Sequence, residues 1–314
     1  MKVTVLVNRR GGSVRKKGIT AGSLREMFQK AGTEADVRLI PGEEICDAAR
    51  AAVKAGTDAV VAGGGDGTIR AVASVLVDGQ VPLGVLPLGT LNHFAGDLKI
   101  PADLEAAVRL IGEGEVHRID VGEVNGEIFL NNSSLGFYPP IVQARDQEMK
   151  RFKRGKWLAM AIATFRLLPK LASLHVKISS GDWQVERKTE LLFVGNNEYT
   201  LSAFGHGAPD RLEESGNLYL YLARSRSRLS LFGLALVGLV RDIKQTRSVE
   251  DWRMSEFTVE VRGHHAIPVA FDGEVSRMRS PLLYRTRPRA LPVILPRPEP
   301  RPEPEPPAPR RDNE

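Results

Sequence analysis

Asp58-Ala59-Val60-Val61-Ala62-Gly63-Gly64-Gly65-Asp66-Gly67-Thr68 is an apolar run that ends in a glycine loop, and the amphipathic stretch Ile69 to Leu76 follows directly. The order reads as strand, loop and helix. Glycines let the backbone approach a ligand without Cβ interference, and their N–H groups beside a helix N-terminus suit a phosphate. A nucleotide is the first ligand to consider. A tight structural turn is the plain alternative, which Asp66 and Thr68 inside the run make less attractive.

Outward from the loop, the first 120 residues alternate apolar runs with helical patterns. Strands are expected at Val3 to Val7, Asp36 to Ile40, Ala59 to Ala62 and Leu83 to Pro87. Helices are expected near Leu24 to Lys30, Asp47 to Lys54, after Thr68, and near Leu104 to Ile111. Strands separated by helices of this length imply βαβ units, hence an α/β N-terminal domain with a mostly parallel sheet. Ligands bind beyond the strand C-termini of such sheets, where Asn8, Gly63 to Thr68 and Pro87 to Asn92 fall.

From about Val121 the pattern changes to short alternating strands: Gly126 to Asn131, His175 to Ser179, Glu190 to Gly195, Leu218 to Ala223, Phe257 to Arg262 and Ile267 to Phe271. A second, β-rich domain is expected, interrupted by helical segments near 145–172 and 228–247. Beyond Leu295 prolines alternate with Arg and Glu, seven of them between Arg297 and Pro309, so residues 296–314 read as a disordered Pro-rich tail.

The formal charge of +6 is unevenly spread, because residues 297–314 carry four Arg against five acids. The basic body suits nucleotide phosphates or an anionic membrane. Aromatics are 6% and do not interleave with the basic residues, so no nucleic-acid partner is expected. Cys46 is the single cysteine, which excludes an internal disulfide and a Cys-based metal site and fits a cytoplasmic location. Trp157 to Ala163 and Leu229 to Val240 fall short of the roughly 20 apolar residues of a membrane span. Between Arg145 and Lys156, however, six basic residues face two acids, and Trp157-Leu158-Ala159-Met160 follows. A basic cluster leading into an apolar helix suits peripheral membrane contact, with core packing as the alternative.

Three further stretches carry chemistry. Pro87-Leu88-Gly89-Thr90-Leu91-Asn92 offers a hydroxyl and exposed amides that can close the other side of a phosphate site. Asn8-Arg9-Arg10-Gly11-Gly12-Ser13 is a second donor-rich loop, and Phe271-Asp272-Gly273-Glu274 ends a strand of the β-rich part with two carboxylates. Together with Asp120 and Gly195-Asn196-Asn197, these motifs stand in the order seen in one family. From Val3 to about Leu295 the sequence resembles the diacylglycerol kinase catalytic fold of bacterial lipid kinases and sphingosine kinases, which is related to that of NAD kinases.

The resemblance implies ATP-dependent, Mg²⁺-assisted phosphorylation of a lipid hydroxyl, and so a place in lipid metabolism such as phospholipid biosynthesis. It implies an α/β nucleotide-binding domain at 1–122 and a β-sandwich-like acceptor domain at 123–290, with a last strand at 291–295 that returns to the first. Asn8, Gly63, Gly64, Gly65, Asp66, Gly67 and Thr68 would then hold the ATP phosphates, with Thr90 and Asn92 facing them. Asp66 and Asp120 would organise Mg²⁺, Glu274 would be the general base, and Asp272 would support it or the metal. Phosphoryl transfer needs positioning and charge neutralisation more than covalent chemistry, which agrees with this division. Each acid also has a plainer reading: Asp66 as a helix cap, Asp120 in a solvated turn, Asp272-Gly273 as a hairpin turn.

Three positions depart from the family. His93 stands where an Asp is frequent, which points to an altered acceptor site. Arg70-Ala71 replaces Asn-Glu; Arg70 can reach a phosphate or remain a solvated helix residue. In Glu214-Ser215-Gly216 a Ser replaces the Asp of a structural Mg²⁺ site, which is therefore expected to be absent or moved to Glu213 or Glu214. The overall expectation is a cytoplasmic, peripherally membrane-associated lipid kinase, with diacylglycerol as the default acceptor and a homodimer possible. An NAD kinase-like enzyme and a non-catalytic nucleotide-binding regulator are the alternatives.

Overall fold

The structure, a computed structural model, describes residues 1–136, 173–197, 216–223 and 249–297. In chain order the first half contains β1 (Lys2–Asn8), α1 (Gly12–Lys16), α2 (Ala21–Lys30), β2 (Glu34–Ile40), α3 (Ile45–Lys54), β3 (Ala59–Gly64), α4 (Asp66–Leu76), β4 (Leu83–Pro87), α5 (His93–Asp97), α6 (Leu104–Glu113) and β5 (Glu115–Val124). Then follow β6 (Glu127–Phe129), β7 (Asn132–Gly136), β8 (Leu174–Ser180), β9 (Trp183–Thr189), β10 (Leu191–Gly195) and β11 (Leu218–Ala223). The described chain closes with β12 (Val249–Met254), β13 (Glu256–Val261), β14 (Ala266–Phe271), β15 (Glu274–Arg279) and β16 (Leu282–Leu295).

β2, β1, β3 and β4 pair in that order, all parallel, and period-two alternation divides their side chains between two layers. Val3, Val5 and Val7 of β1, with Ala59 and Val61 of β3, pack against α2 and α6 through Leu24, Phe28, Val108 and Ile111. Leu6, Val60 and Ala62 pack the opposite way, on α3 and α4 through Ile45, Ala49, Ile69 and Val72. With both faces covered, β3 is buried at every residue, as a central parallel strand must be. Each Val or Leu so buried contributes about 1.5–3 kcal/mol. Helix starts are set locally: Thr20 and Ser23 form a capping box on α2, and Asp103 accepts the Ala106 N–H of α6.

The second half is antiparallel. β12, β11, β10, β7, β14 and β15 form a six-stranded sheet. Its inner face meets β13, β8 and the first part of β16 over Phe129, Leu192, Val194, Leu220, Phe257 and Tyr284. No linker divides the halves, because β5 and β16 run through both. β16 pairs with β13 at one end and reaches β4 at Val293–Leu83, while β5 follows it along its length with a bulge between Arg287 and Leu291. The positions 122/123 and 290/291 therefore lie inside continuous strands. Buried Glu123 accepts from Arg285 and Arg287, and Arg287 also pairs with Asp78, which ties β16 to the turn after α4.

One expected strand is shorter than expected. Of Gly126 to Asn131 only Glu127–Phe129 forms a strand, β6 of the first sheet, and the chain crosses at Leu130-Asn131 to β7 of the second, which begins at Asn132. The expected helices near 145–172 and 228–247, the basic cluster before Trp157, Glu213 to Ser215 and the Pro-rich tail beyond 297 lie outside the described residues. No helix among the described residues is long and apolar enough to cross a membrane.

Candidate active site

Three turns at the C-terminal ends of β1, β3 and β4 surround a cavity of about 560 Å³, and the β14–β15 hairpin forms its far wall. This is where an open parallel sheet places its ligands. The β3 turn and the β4 turn meet backbone to backbone: a Cβ on Gly89 would run into Gly65 Cα, with Gly65 N at 3.2 Å. Only glycine at position 89 allows that approach, whereas a Cβ on Gly65 would lie 3.4 Å from Gly89 Cα. Gly64 is closed by Thr68, whose Oγ1 also accepts from Asn8 Nδ2 at 3.4 Å. From the β1 turn, Ser13 Oγ donates to Gly89 O at 3.2 Å, which joins the first turn to the third.

Asn8, Gly65, Asp66, Gly67, Thr68 and Thr90 line the cavity. Gly63 and Gly64 do not; they are the buried end of β3 and set its exit. Asn92 works inside its own turn. Its Oδ1 accepts from Gly89 N at 2.8 Å, its Nδ2 reaches Pro87 O, and its φ of 53° makes it the left-handed residue that starts α5. His93 is the exposed first residue of α5 and is not a lining residue.

The acids separate into different tasks. Asp66 Oδ1 accepts from Phe94 N at 3.2 Å, so it caps α5 of the neighbouring turn rather than its own helix. Asp120 is not among the lining residues: Oδ2 accepts from Gly216 N and Oδ1 from Arg289 N, at 2.9 and 2.8 Å. It pins the β16 bulge. Asp272 is buried, and its carboxylate collects Leu130 N, Asn131 N and Asn132 N at 2.7, 2.8 and 3.2 Å. Those N–H groups belong to the crossing from β6 to β7, where ladder partners run out. Burial pushes the Asp272 carboxyl up, against the three N–H bonds and Arg70, which favour its charged form. Asp272 and Gly273 have φ of 47° and 81°, the signature of a type I′ hairpin turn. The hairpin and the functional wall are thus the same feature.

Glu274, immediately after that turn, meets the phosphate turn from the opposite side. A Cβ on Gly67 would lie 2.6 Å from its Oε1. Its carboxylate pairs with Arg70, whose guanidinium lies 4.7 Å from the centre of the Phe271 ring. Neither this pair nor the Gly65–Gly89 contact was legible in the sequence, although Arg70 stood out as a departure.

The described residues hold no cluster of three or more His, Cys, Asp or Glu suited to a metal by themselves. Mg²⁺ carried on nucleotide phosphates needs only one or two carboxylates and keeps its waters. Asp66 fits that demand. Asp120 is not a lining residue of the cavity and holds the N–H groups of Gly216 and Arg289.

A family model for the diacylglycerol kinase catalytic domain matches residues 2–124. A Pseudomonas savastanoi pv. phaseolicola protein named "Probable lipid kinase YegS-like" is 30% identical over 277 residues, covering 85% of this chain and 86% of its own. A Staphylococcus saprophyticus protein named diacylglycerol kinase is 27% identical over 208 residues, covering 65% and 67%. Among solved structures, a Bacillus anthracis protein provisionally named a diacylglycerol kinase superposes with a TM-score of 0.71 at 21% identity, over 94% of this chain and 96% of that one. That likeness is one of fold.

Proposed function

This chain belongs to the diacylglycerol kinase catalytic-domain family and is a lipid kinase; on that premise we propose that it moves the γ-phosphate of Mg-ATP to the hydroxyl of a lipid alcohol, diacylglycerol being the default acceptor. The observation that carries the reading is the position of Glu274 against Gly67, across a cavity floored by glycine turns. A carboxylate beside a phosphate cradle is where an attacking hydroxyl needs a base.

In this reading the amides around Gly65 and Gly67 and the hydroxyls of Thr68 and Thr90 hold the nucleotide phosphates. Mg²⁺, when bound with ATP near Asp66, supplies neutralisation of phosphate charge. The acceptor oxygen forms a bond to the γ-phosphorus, the bond to the β-phosphate oxygen breaks, and the hydroxyl proton passes to Glu274. Products are a lipid phosphate monoester and ADP. Asp272 keeps the hairpin, and so Glu274, in register by gripping the β6–β7 crossing. Asp120, expected at the metal from the motif, lies outside the cavity lining and holds β16 through the Arg289 N–H.

A lipid acceptor requires access to a membrane surface. We place that contact at the basic and apolar stretch from Arg145 to Met160, and the chain acts as a peripheral protein of the cytoplasmic face; liposome flotation with and without anionic lipid tests this. The kinase reading is tested with γ-labelled ATP, Mg²⁺ and a total lipid extract. Wild type should label a lipid and Glu274→Gln should not. Equal labelling by both, or labelling of NAD instead of lipid, would refute it.

A further inference from the structure

Arg70 is the least expected residue of the cavity. It is the fifth residue of α4, and its side chain is only 13% exposed while that of Glu274 is 54% exposed. Within the pair the guanidinium is the more buried partner, and both side chains line the cavity of the glycine turn. Phe271, on the strand that leads into the hairpin, holds the guanidinium against its ring. A guanidinium offers five N–H donors in a fixed fork. Here one nitrogen, Nη2, bonds Glu274, and Nε is buried without any partner among the described residues. Nε has no exposed surface, so the remaining donors of the fork are the ones that can take the acceptor still missing from the pair.

The identity of the missing acceptor follows from its surroundings. Gly65, Gly67 and Thr68 line the same cavity, and the other two acids there are already engaged, Asp66 with Phe94 N and Asp272 with three backbone N–H groups. An oxyanion brought to the glycine turn would come up against the carboxylate that borders Gly67, and like charges repel unless a cation stands between them. Arg70 stands there. Building on the Mg-ATP reading above, we infer that Arg70 grips the terminal phosphate of the nucleotide and at the same time holds Glu274 toward the acceptor hydroxyl. No covalent bond changes at Arg70. The bonds formed and broken are those of the transfer itself, and Arg70 remains charged throughout.

The consequence is selectivity for a triphosphate over a diphosphate, readable without any lipid. Calorimetry with a non-hydrolysable ATP analogue and with ADP, each with Mg²⁺, should show the analogue's affinity falling about 10- to 50-fold in Arg70→Gln while ADP affinity stays within about twofold. Arg70→Lys should recover part of the analogue's affinity, because charge returns without the fork, and should still transfer slowly. Melting curves of the nucleotide-free variants report any loss of the Phe271 contact separately. A ratio of analogue to ADP affinity unchanged within twofold in Arg70→Gln would overturn the inference and leave Arg70 as a structural partner of Glu274. Lipid labelling by wild type in that case would leave the kinase reading intact. Conversely, a wild type that labels no lipid yet loses triphosphate preference in Arg70→Gln would refute the lipid acceptor and support Arg70.

Discussion

Gly89→Ala should separate the two phosphate turns. A Cβ at this position meets Gly65 Cα inside van der Waals distance, and it lies 2.6 Å from Asn92 Oδ1 and 3.2 Å from Gly65 N. Two of these neighbours are backbone, so no side chain can swing away. Restoring carbon contacts of about 3.5–4.0 Å requires the turns to part by roughly 1 Å. Overpacking of this kind costs about 1–3 kcal/mol, and a misplacement of about 1 Å in a transfer site costs on the order of 100-fold in rate. Calorimetric titration with an ATP analogue should show affinity reduced about 10-fold or more, and Tm should drop by roughly 2–4 °C per kcal/mol. Gly96→Ala is the control, since nothing lies within 4 Å of its Cβ. If Gly89→Ala binds nucleotide within twofold of wild type, the two turns do not form one cradle.

Gly67→Ala presses instead on Glu274, whose carboxylate is exposed and able to shift. Its melting temperature should be unchanged or slightly raised, while phosphoryl transfer falls about 10- to 100-fold and nucleotide affinity far less; a parallel loss of affinity would contradict this. Asp272→Asn should cost about 1–3 kcal/mol near neutral pH, because an amide turns N–H toward the backbone donors it must accept. Since burial raises the Asp272 pKa above 3.8 in the folded state, its favourable contribution is complete below that value and lost as pH rises through the raised one. Wild-type stability should therefore decline with rising pH by a component that Asp272→Asn lacks, and superimposable Tm-against-pH slopes would count against it. Glu123→Gln removes the buried partner of Arg285 and Arg287, and should lower stability by about 2–3 kcal/mol in urea unfolding. A midpoint shift too small for 1 kcal/mol would show that the network is dispensable.

Much of the first half was legible because parallel strands are buried on both faces and read as continuous apolar runs. β3 and β4 are clear in Ala59-Val60-Val61-Ala62 and Leu83 to Pro87. β5 and β7 escaped notice, as did three others: β9, WQVERKT, β12, VEDWRM, and β15, EVSRMR. All three end their sheets, where charged residues are tolerated and guard an unpaired edge, so hydrophobic alternation is weak. The early end of the strand expected at Gly126 to Asn131 was hidden for another reason. Its break is made by a carboxylate about 140 residues away, and no local pattern encodes that partner.

By itself the sequence determined the glycine turn between β3 and α4, because such a turn is set by local backbone geometry. It also placed Glu274 next to an Asp-Gly turn, since that turn is a two-residue property. Only the tertiary structure decided what each acid does. Asp120 was drawn to the β16 bulge, Asp66 to the N-terminus of α5, and Asp272 to the strand crossing, because buried N–H groups must be paired and these carboxylates were within reach. The same packing brought Arg70 to Glu274 across 204 residues. A side chain's chemistry is written in its residue type, but its partner is set by which strands and helices close around it.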